Sequence, residues 1–418
     1  MAAELSEELK SFMETGIYRL DGSNVVFIDP VRVLNESYSR FALSPSDYYS
    51  RSFAPPKSAF PAEAVPKKRK RKPKPHHDLN ERERVAEKRH QEARALLLSA
   101  HKALLAAADL LGLLPQVMGG EGSSHGGERA AEKNFVELGN HWKAPFCEIT
   151  LGLRASNEVD QGSRPRHDVG RAVVSLFNNL IGNETNDDVE AEFQNSCYIL
   201  PRRSSFHMSD LRQIRDLVPA QSSQGFNLIV IDPPWENGSV HQKATYPTLP
   251  NRYFFNLPVK ELAHEDGALV VLWMTNREKL RMFVEKELLP GWGVTDVTPF
   301  YWLKVKPDGS LICDLDLFHH RPYECFLIGY INVDVDFQCT EKFKYFKSSQ
   351  VIISVPGAHS RKPPLEKLLL EHIPGPEPAK CIELFARELT AGWISWGNET
   401  LRFQDSLYFL KKTNNWCS

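Results

Sequence analysis

Four consecutive apolar residues, Leu228, Ile229, Val230 and Ile231, run directly into Asp232, Pro233, Pro234 and Trp235. A short, mostly β-branched run of this kind suits a strand buried on both faces, and prolines cannot donate to a ladder, so the strand ends at the aspartate. In open α/β sheets ligands gather outside the carboxyl ends of the strands. Any fold for this chain therefore delivers a carboxylate, a rigid diproline and an indole together to one sheet edge. The earlier run Val25-Val26-Phe27-Ile28-Asp29-Pro30 has a similar outline without the second proline or the tryptophan, and it reads as a strand and turn only.

The pattern around the motif extends the sheet. Residues 227–231, 268–274, 298–304, 323–330, 351–355, 381–385 and 392–396 read as strands. Helices are expected over 275–289, with Asn276 as its cap, and over 363–373, with prolines in its first turn. Strands alternating with helices give an α/β fold class with a mostly parallel, doubly covered sheet.

Before this region the chain divides by composition. Residues 1–55 form a small N-terminal ordered element. Residues 56–78 are a basic, proline-rich linker in which residues 67–74 (Lys-Lys-Arg-Lys-Arg-Lys-Pro-Lys) read as a nuclear-import signal, with phosphate contact or a plain charged linker as the alternatives. Residues 79–195 make a helical and mixed N-terminal domain, and 196–418 the α/β domain. Within 79–116 the residues Leu96, Leu97, Ala100, Leu104, Ala107, Leu110 and Leu111 share one helical stripe. A flexible glycine-rich loop follows at 119–128. Residues 172–180 read as a short helix, 183–188 as a polar loop and 197–200 as a short strand.

With 418 residues and a formal net charge of −2, the chain has no global basicity, so contact with nucleic acid requires a local patch. It shows no apolar leader and no long uncharged apolar run, so no membrane partner is expected. The seven cysteines are odd in number, form no CxxC pair and have no clustered histidine spacing beside them, which argues against a disulfide framework or structural zinc and fits a reducing compartment.

The quartet at 232–235 suits methyl transfer to the exocyclic amine of adenine. That nitrogen is a poor nucleophile because its lone pair is conjugated into the ring. Two acceptors, the Asp232 carboxylate and the Pro233 carbonyl, take both N–H hydrogens and draw the nitrogen towards tetrahedral geometry. Proline fixes the carbonyl direction, Pro234 adds rigidity, and Trp235 offers a face for base stacking.

Four separated stretches in order, Ile229-Val230-Ile231-Asp232-Pro233-Pro234-Trp235, Lys362-Pro363-Pro364-Leu365, Glu383-Leu384-Phe385-Ala386-Arg387 and Gly392-Trp393-Ile394-Ser395-Trp396-Gly397-Asn398-Glu399, make residues 201–408 resemble the eukaryotic adenine N6-methyltransferases with a DPPW motif. The resemblance is nearest to the branch called methyltransferase-like protein four. It implies a Rossmann-like sheet with the catalytic strand before the cofactor strand, S-adenosyl-L-methionine as cofactor and no metal. It places Lys362 on the methionine carboxylate, Asn398 and Glu399 on the ribose hydroxyls, Asp210 with Leu211 at the cofactor adenine, and Glu383, Arg387 and Asp232 as further cofactor-binding residues. Tyr246 then stands where the family has a tyrosine that closes as a lid over the substrate base. Independently of the resemblance, Arg277 and Lys304, with Lys306, His319, His320 and Arg321, follow expected strand ends and read either as a phosphate-binding rim or as a solvated face. The substrate implied is RNA, a 2′-O-methyladenosine of small nuclear RNA, with DNA adenine as the alternative. A nuclear location, an import receptor bound through Lys67 to Lys74 and a monomeric state complete the expectation. Two competing readings are a catalytically silent nucleic-acid-binding subunit of a methyltransferase complex and methylation of a protein glutamine amide.

Overall fold

The structure, a computed structural model, describes residues 6–20, 24–49, 81–117, 133–153, 170–236, 248–317, 321–334, 337, 340, 343 and 350–412. The basic block at 67–74, the loop at 119–128, Tyr246, His319 and His320 lie outside them.

Eleven strands form the main sheet. In chain order they are β1 (Ile17–Leu20), β2 (Val25–Ile28), β3 (Leu180–Gly182), β4 (Ser205–Met208), β5 (Leu228–Ile231), β6 (Ala268–Met274), β7 (Thr295–Lys304), β8 (Tyr323–Ile331), β9 (Val351–Ser354), β10 (Cys381–Leu384) and β11 (Trp393–Gly397). Their spatial order is β1-β2-β9-β7-β8-β6-β5-β10-β11-β4-β3. Pairings are parallel except at β1/β2, β7/β8, β6/β8 and β3/β4. All strands but β1, β3 and β8 therefore run the same way, and their carboxyl ends share one edge. This is the mostly parallel α/β architecture expected from the sequence.

The apolar run of β5 explains its place in the middle of the sheet. Ile229 and Ile231 enter the core on one face, Leu228 and Val230 the core on the other. Strand β6 divides in the same way, with Val270, Leu272 and Met274 on one side and Leu269, Val271 and Trp273 on the other. Two-sided burial is the reason both strands are apolar throughout rather than alternating.

Residues 17–28, set apart above as a small N-terminal element, contribute two strands to this sheet through the parallel pairing of β2 with β9. A separate antiparallel sheet has the order Gly170–Ser175, Glu148–Leu153, Val189–Phe193, Ser196–Leu200. It spans residue 196, where the sequence reading began the α/β domain. The stripe at 96–111 lies on two helices, Glu81–Ala106 and Ala108–Val117, with Leu97, Ala100, Leu104 and Leu110 fully buried against one core.

Three element expectations are corrected. Residues 172–180 are not a helix: the adjacent β-branched Val173 and Val174 pair with Thr150 and Ile149 in a strand, and Asn178 then takes a left-handed turn at φ 57° into β3. The helix expected over 275–289 is Glu278–Phe283, a π-helical turn Val284–Leu288, and Leu289–Trp292. Asn276 does not cap it, because its side-chain amide donates to the Tyr323 carbonyl at 2.7 Å. Nor do Pro363 and Pro364 open a helix. Consecutive prolines hold the residue before each in an extended conformation, and the helix begins only at Glu366.

Candidate active site

One cleft of about 2320 Å³ runs along the edge where the parallel strands end, and Asp232, Pro233, Pro234 and Trp235 line it with Lys362, Arg387, Asn398 and Glu399. Asp232 follows β5 directly, its backbone N–H donating to Leu384 O at 3.2 Å. The Pro233 carbonyl accepts from Trp235 N at 2.8 Å, and the Pro234 carbonyl from Leu249 N at 3.2 Å. A carbonyl oxygen carries two lone pairs, so the turn is locked while Pro233 O keeps one acceptor site.

Trp235 departs from the role expected of it. Its indole is 4 % exposed, donates to Trp273 O at 2.8 Å and meets Phe254 edge-on at 4.8 Å between centroids. It anchors the turn into the core rather than opening a broad stacking face.

The charges beside Asp232 form a chain. Lys362 Nζ lies 3.3 Å from Asp232 Oδ1, 3.1 Å from Glu324 Oε2 and 5.4 Å from the centroid of the Trp273 ring. Glu324 also pairs with Lys304. Burial pulls the Lys362 ammonium down, but the Asp232 and Glu324 carboxylates outweigh it and hold the group above its usual value. Burial likewise raises the Glu324 carboxyl, and the two lysines outweigh it, bringing it to about 2. Lys304 is therefore not part of an open phosphate rim. It is 9 % exposed, bound to Glu324, and lies 4.3 Å from the Trp302 ring centroid. Glu324 comes from the start of β8, the antiparallel strand, which alone brings an amino end to this edge among β5, β6, β7 and β8.

A second assembly fixes the loop that presents Lys362. His359 and Ser360 both take left-handed conformations, φ 57° and 58°, which cost energy in non-glycine residues and persist only when the surroundings impose them. Arg387 imposes them by donating to His359 O at 2.9 Å and Ser360 O at 3.2 Å. The Arg361 guanidinium is buried between the rings of Tyr48 and Phe403, 4.2 and 4.5 Å from their centroids, and pairs with Glu388. Arg387 and Arg402 also stand over Phe403, each at 5.6 Å. One ring thus gathers three guanidiniums, of which Arg402 pairs with Glu399 at 3.1 Å.

The remaining candidates separate. Asn398 and Glu399 follow β11, where Gly397 packs backbone on backbone: a Cβ there would meet Ala386 O at 2.9 Å. Phe385, at φ 65°, makes the turn after β10 that a glycine-rich loop makes in many nucleotide-binding sheets. Asp210 lines the cleft, but its carboxylate caps the 3-10 segment Leu211–Leu217 and binds Arg212, which holds it below the usual carboxylate range. Leu211 lines the same wall, and Arg277 reaches the rim, donating to Glu236 O at 3.3 Å. Glu383, half-buried on β10 beside Val230 and Ser395, is not among the residues lining the cleft, but it lies within electrostatic reach of Asp232, Lys362 and Arg387, which do line it. Burial, then Glu388 and Asp232, push its carboxyl up to about 8.

Unfolded chain releases the Glu383 proton near the ordinary glutamate value while the folded protein keeps it to about 8, so this group makes stability fall as pH rises across that window. Glu383→Gln is expected to flatten that slope and to be more stable than wild type at pH about 8, read by denaturant midpoints across pH. A variant with the wild-type slope would refute it.

Sequence reasoning missed Glu324, Arg361 and Phe403. The available signal was a charged residue one step inside an otherwise apolar strand, Tyr323-Glu324-Cys325, and an arginine directly before Lys362.

Residues 226–399 match the family described as MT-A70. They are an MT-A70 family domain. The MT-A70 span contains β5 to β11 together with Asp232, Glu324, Lys362 and Glu399, while β1 to β4 and Asp210 fall outside it. The chain is 36 % identical over 272 residues to the N(6)-adenine-specific methyltransferase METTL4 of Mus musculus, covering 63 % of this chain and 56 % of that protein. It is 33 % identical over 217 residues to the N6-methyladenosine RNA methyltransferase MTA1 of Pyricularia oryzae, covering 50 % and 55 %. With the DNA N6-methyl methyltransferase of Caenorhabditis elegans it shares 31 % over 220 residues, covering 51 % and 56 %. The matches thus take in little more than half the length of each of these relatives.

Proposed function

We propose that the MT-A70 domain transfers a methyl group from S-adenosyl-L-methionine to N6 of adenine in nucleic acid, with a 2′-O-methylated adenosine of small nuclear RNA as target and DNA adenine as the competing one. Support comes from the relatives named for adenine methylation, and the observation that carries the reading is the pair of acceptors, Asp232 and Pro233 O, held at the sheet edge beside Lys362.

The donor set fits the cofactor. Lys362 offers a cation to an amino-acid carboxylate, Asp232 and Glu324 offer anions to an ammonium or sulfonium, and Asn398 and Glu399 offer acceptors to hydroxyls. When bound, the cofactor supplies a methyl group on sulfonium, with a neutral thioether as the leaving group. Asp232 and Pro233 O accept the two N–H bonds of the adenine amine and free its lone pair to form the new C–N bond. One N6 proton becomes acidic as that bond forms, and the Asp232 carboxylate is its nearest acceptor. Glu399 must exchange its Arg402 partner for a hydroxyl, and Asp210 its Arg212 partner for the cofactor amine.

The same reading makes Phe403 a positioning residue, since its ring holds the arginines behind both Lys362 and Glu399. Phe403→Leu is expected to weaken cofactor affinity about tenfold, about 1.4 kcal/mol, while oligonucleotide affinity holds; Phe403→Trp keeps the ring face and recovers it. Calorimetry with S-adenosyl-L-methionine checks this, and equal affinities for the leucine and tryptophan variants would sink it.

The deciding assay for the reaction is labelled methyl transfer to short RNA and DNA oligomers with and without 2′-O-methyladenosine. Transfer to the 2′-O-methylated RNA in preference to the others is the expected result. Absence of both calorimetric heat with S-adenosyl-L-methionine and transfer to any oligomer would favour a silent subunit instead. A nuclear location, through import at residues 67–74, belongs to the same proposal and predicts cytoplasmic retention when that block is neutralised.

A further inference from the structure

The cleft has a second wall that does not come from the sheet edge. Val85, Lys88, Arg89 and Glu92, on the first half of helix Glu81–Ala106, line the same cleft as Asp232 and Lys362. The helix is docked there by ionic contacts. Arg89 meets Glu285 with two bonds of 3.0 and 2.7 Å and lies 3.3 Å from Glu278. Arg94 meets Asp316 with bonds of 2.7 and 2.9 Å. His90, buried, bonds the Tyr323 hydroxyl at 3.0 Å and Asp316 at 3.3 Å. Tyr323 immediately precedes Glu324, so the helix leans on the strand that carries the lysine's partner.

These contacts use the charges of Arg89 and Arg94 and leave others unspent. Lys88 is exposed and has no carboxylate within ion-pair distance among the described residues. Arg277 donates to a neutral carbonyl, Glu236 O. Arg321 donates to Leu317 O and the Tyr323 hydroxyl, each at 3.2 Å. Three cations from three separate segments therefore line one cleft with neutral partners or none. Cations so placed suit phosphate oxygens, which fix the register of a strand without reading its sequence.

We infer that the first half of helix Glu81–Ala106 is the outer wall of a channel for single-stranded nucleic acid, in which Lys88, Arg277 and Arg321 hold the phosphates on either side of the target adenine. The inference deepens the function proposed above and rests on it. A single strand is the form that fits, because a paired adenine offers its amine to its partner base and must leave the stack before Asp232 can grip it. The docked helix then does what a mobile lid does elsewhere: it confines the strand against the sheet edge.

The test is fluorescence anisotropy of the full chain with a labelled adenosine-containing RNA oligomer over a range of salt, beside cofactor calorimetry and the transfer assay. Lys88→Glu is expected to weaken oligomer binding about tenfold at low salt and to reduce the slope of log K against log salt by about one, with cofactor affinity unchanged. Lys88→Arg keeps binding, and Lys102→Glu, exposed on the same helix outside the cleft, leaves it at wild type. Arg89→Glu undocks the wall and weakens binding too, and adding Glu285→Arg restores it. Equal binding by Lys88→Glu and Lys102→Glu, or an unaltered salt slope, overturns the channel. Lys88-dependent binding by a wild-type protein that transfers no methyl group leaves the channel standing and overturns the catalytic reading instead.

Discussion

Asp232→Ala is expected to lower the rate of methyl transfer by about 10²–10⁴-fold, the range that removal of a positioned acid-base group commands. The alanine removes one of two acceptors, so the adenine amine keeps a hydrogen in conjugation and its lone pair stays in the ring. Asn at the same position should not rescue: its oxygen accepts, but its NH₂ faces an N–H donor. Cofactor affinity is expected to hold within a few fold, because Lys362 keeps its second partner, Glu324, at 3.1 Å. Single-turnover transfer and calorimetry on the same preparation separate the two effects. Turnover near wild type by folded Asp232→Ala protein would end the mechanism.

Arg361→Met is expected to destabilise the fold by about 3–5 kcal/mol, the cost of leaving one member of a buried ion pair alone. The guanidinium is 3 % exposed, and its partner Glu388 would be left beside Glu383, whose carboxyl is already pushed up by Glu388. Two stacking contacts, with Tyr48 and Phe403, vanish at the same time. The double variant Arg361→Met/Glu388→Gln removes the stranded charge and should recover part of the loss. Denaturant titration measures both; a single variant within about 1 kcal/mol of wild type would mean that the pair contributes little. Because Tyr48 belongs to the N-terminal segment, the same experiment asks whether residues 17–49 and the Lys362 loop form one cooperative unit.

Much of the sheet could be read along the chain. Strands β5, β6, β8, β9 and β10 fall within one residue of their expected limits, since apolar runs bounded by proline, glycine or charge identify buried strands locally. Helices were less legible. The segment after β6 is interrupted by a π-helical turn, and the diproline after Lys362 delays its helix, both effects of packing and backbone restriction that a stripe of apolar residues does not report. The site divides in the same manner. Asp232, Lys362, Asn398 and Glu399 follow strand ends and meet in one cleft, as the resemblance implied. Lys304 looked like a rim cation, yet it is buried against Glu324, because exposure depends on neighbours far away in sequence.

What the sequence determined by itself is that Asp232 stands at the carboxyl end of a strand buried on both sides: four apolar residues and two prolines permit little else, whatever surrounds them. Only the tertiary structure decided which charges neutralise one another. Strand β8 enters antiparallel between β6 and β7 and sets Glu324 between two lysines, while residues of helix Glu81–Ala106 line the same cleft. Proline geometry and apolar periodicity act between adjacent residues, whereas Coulomb forces act across space, so the pairing of charges waits on how distant segments are brought together.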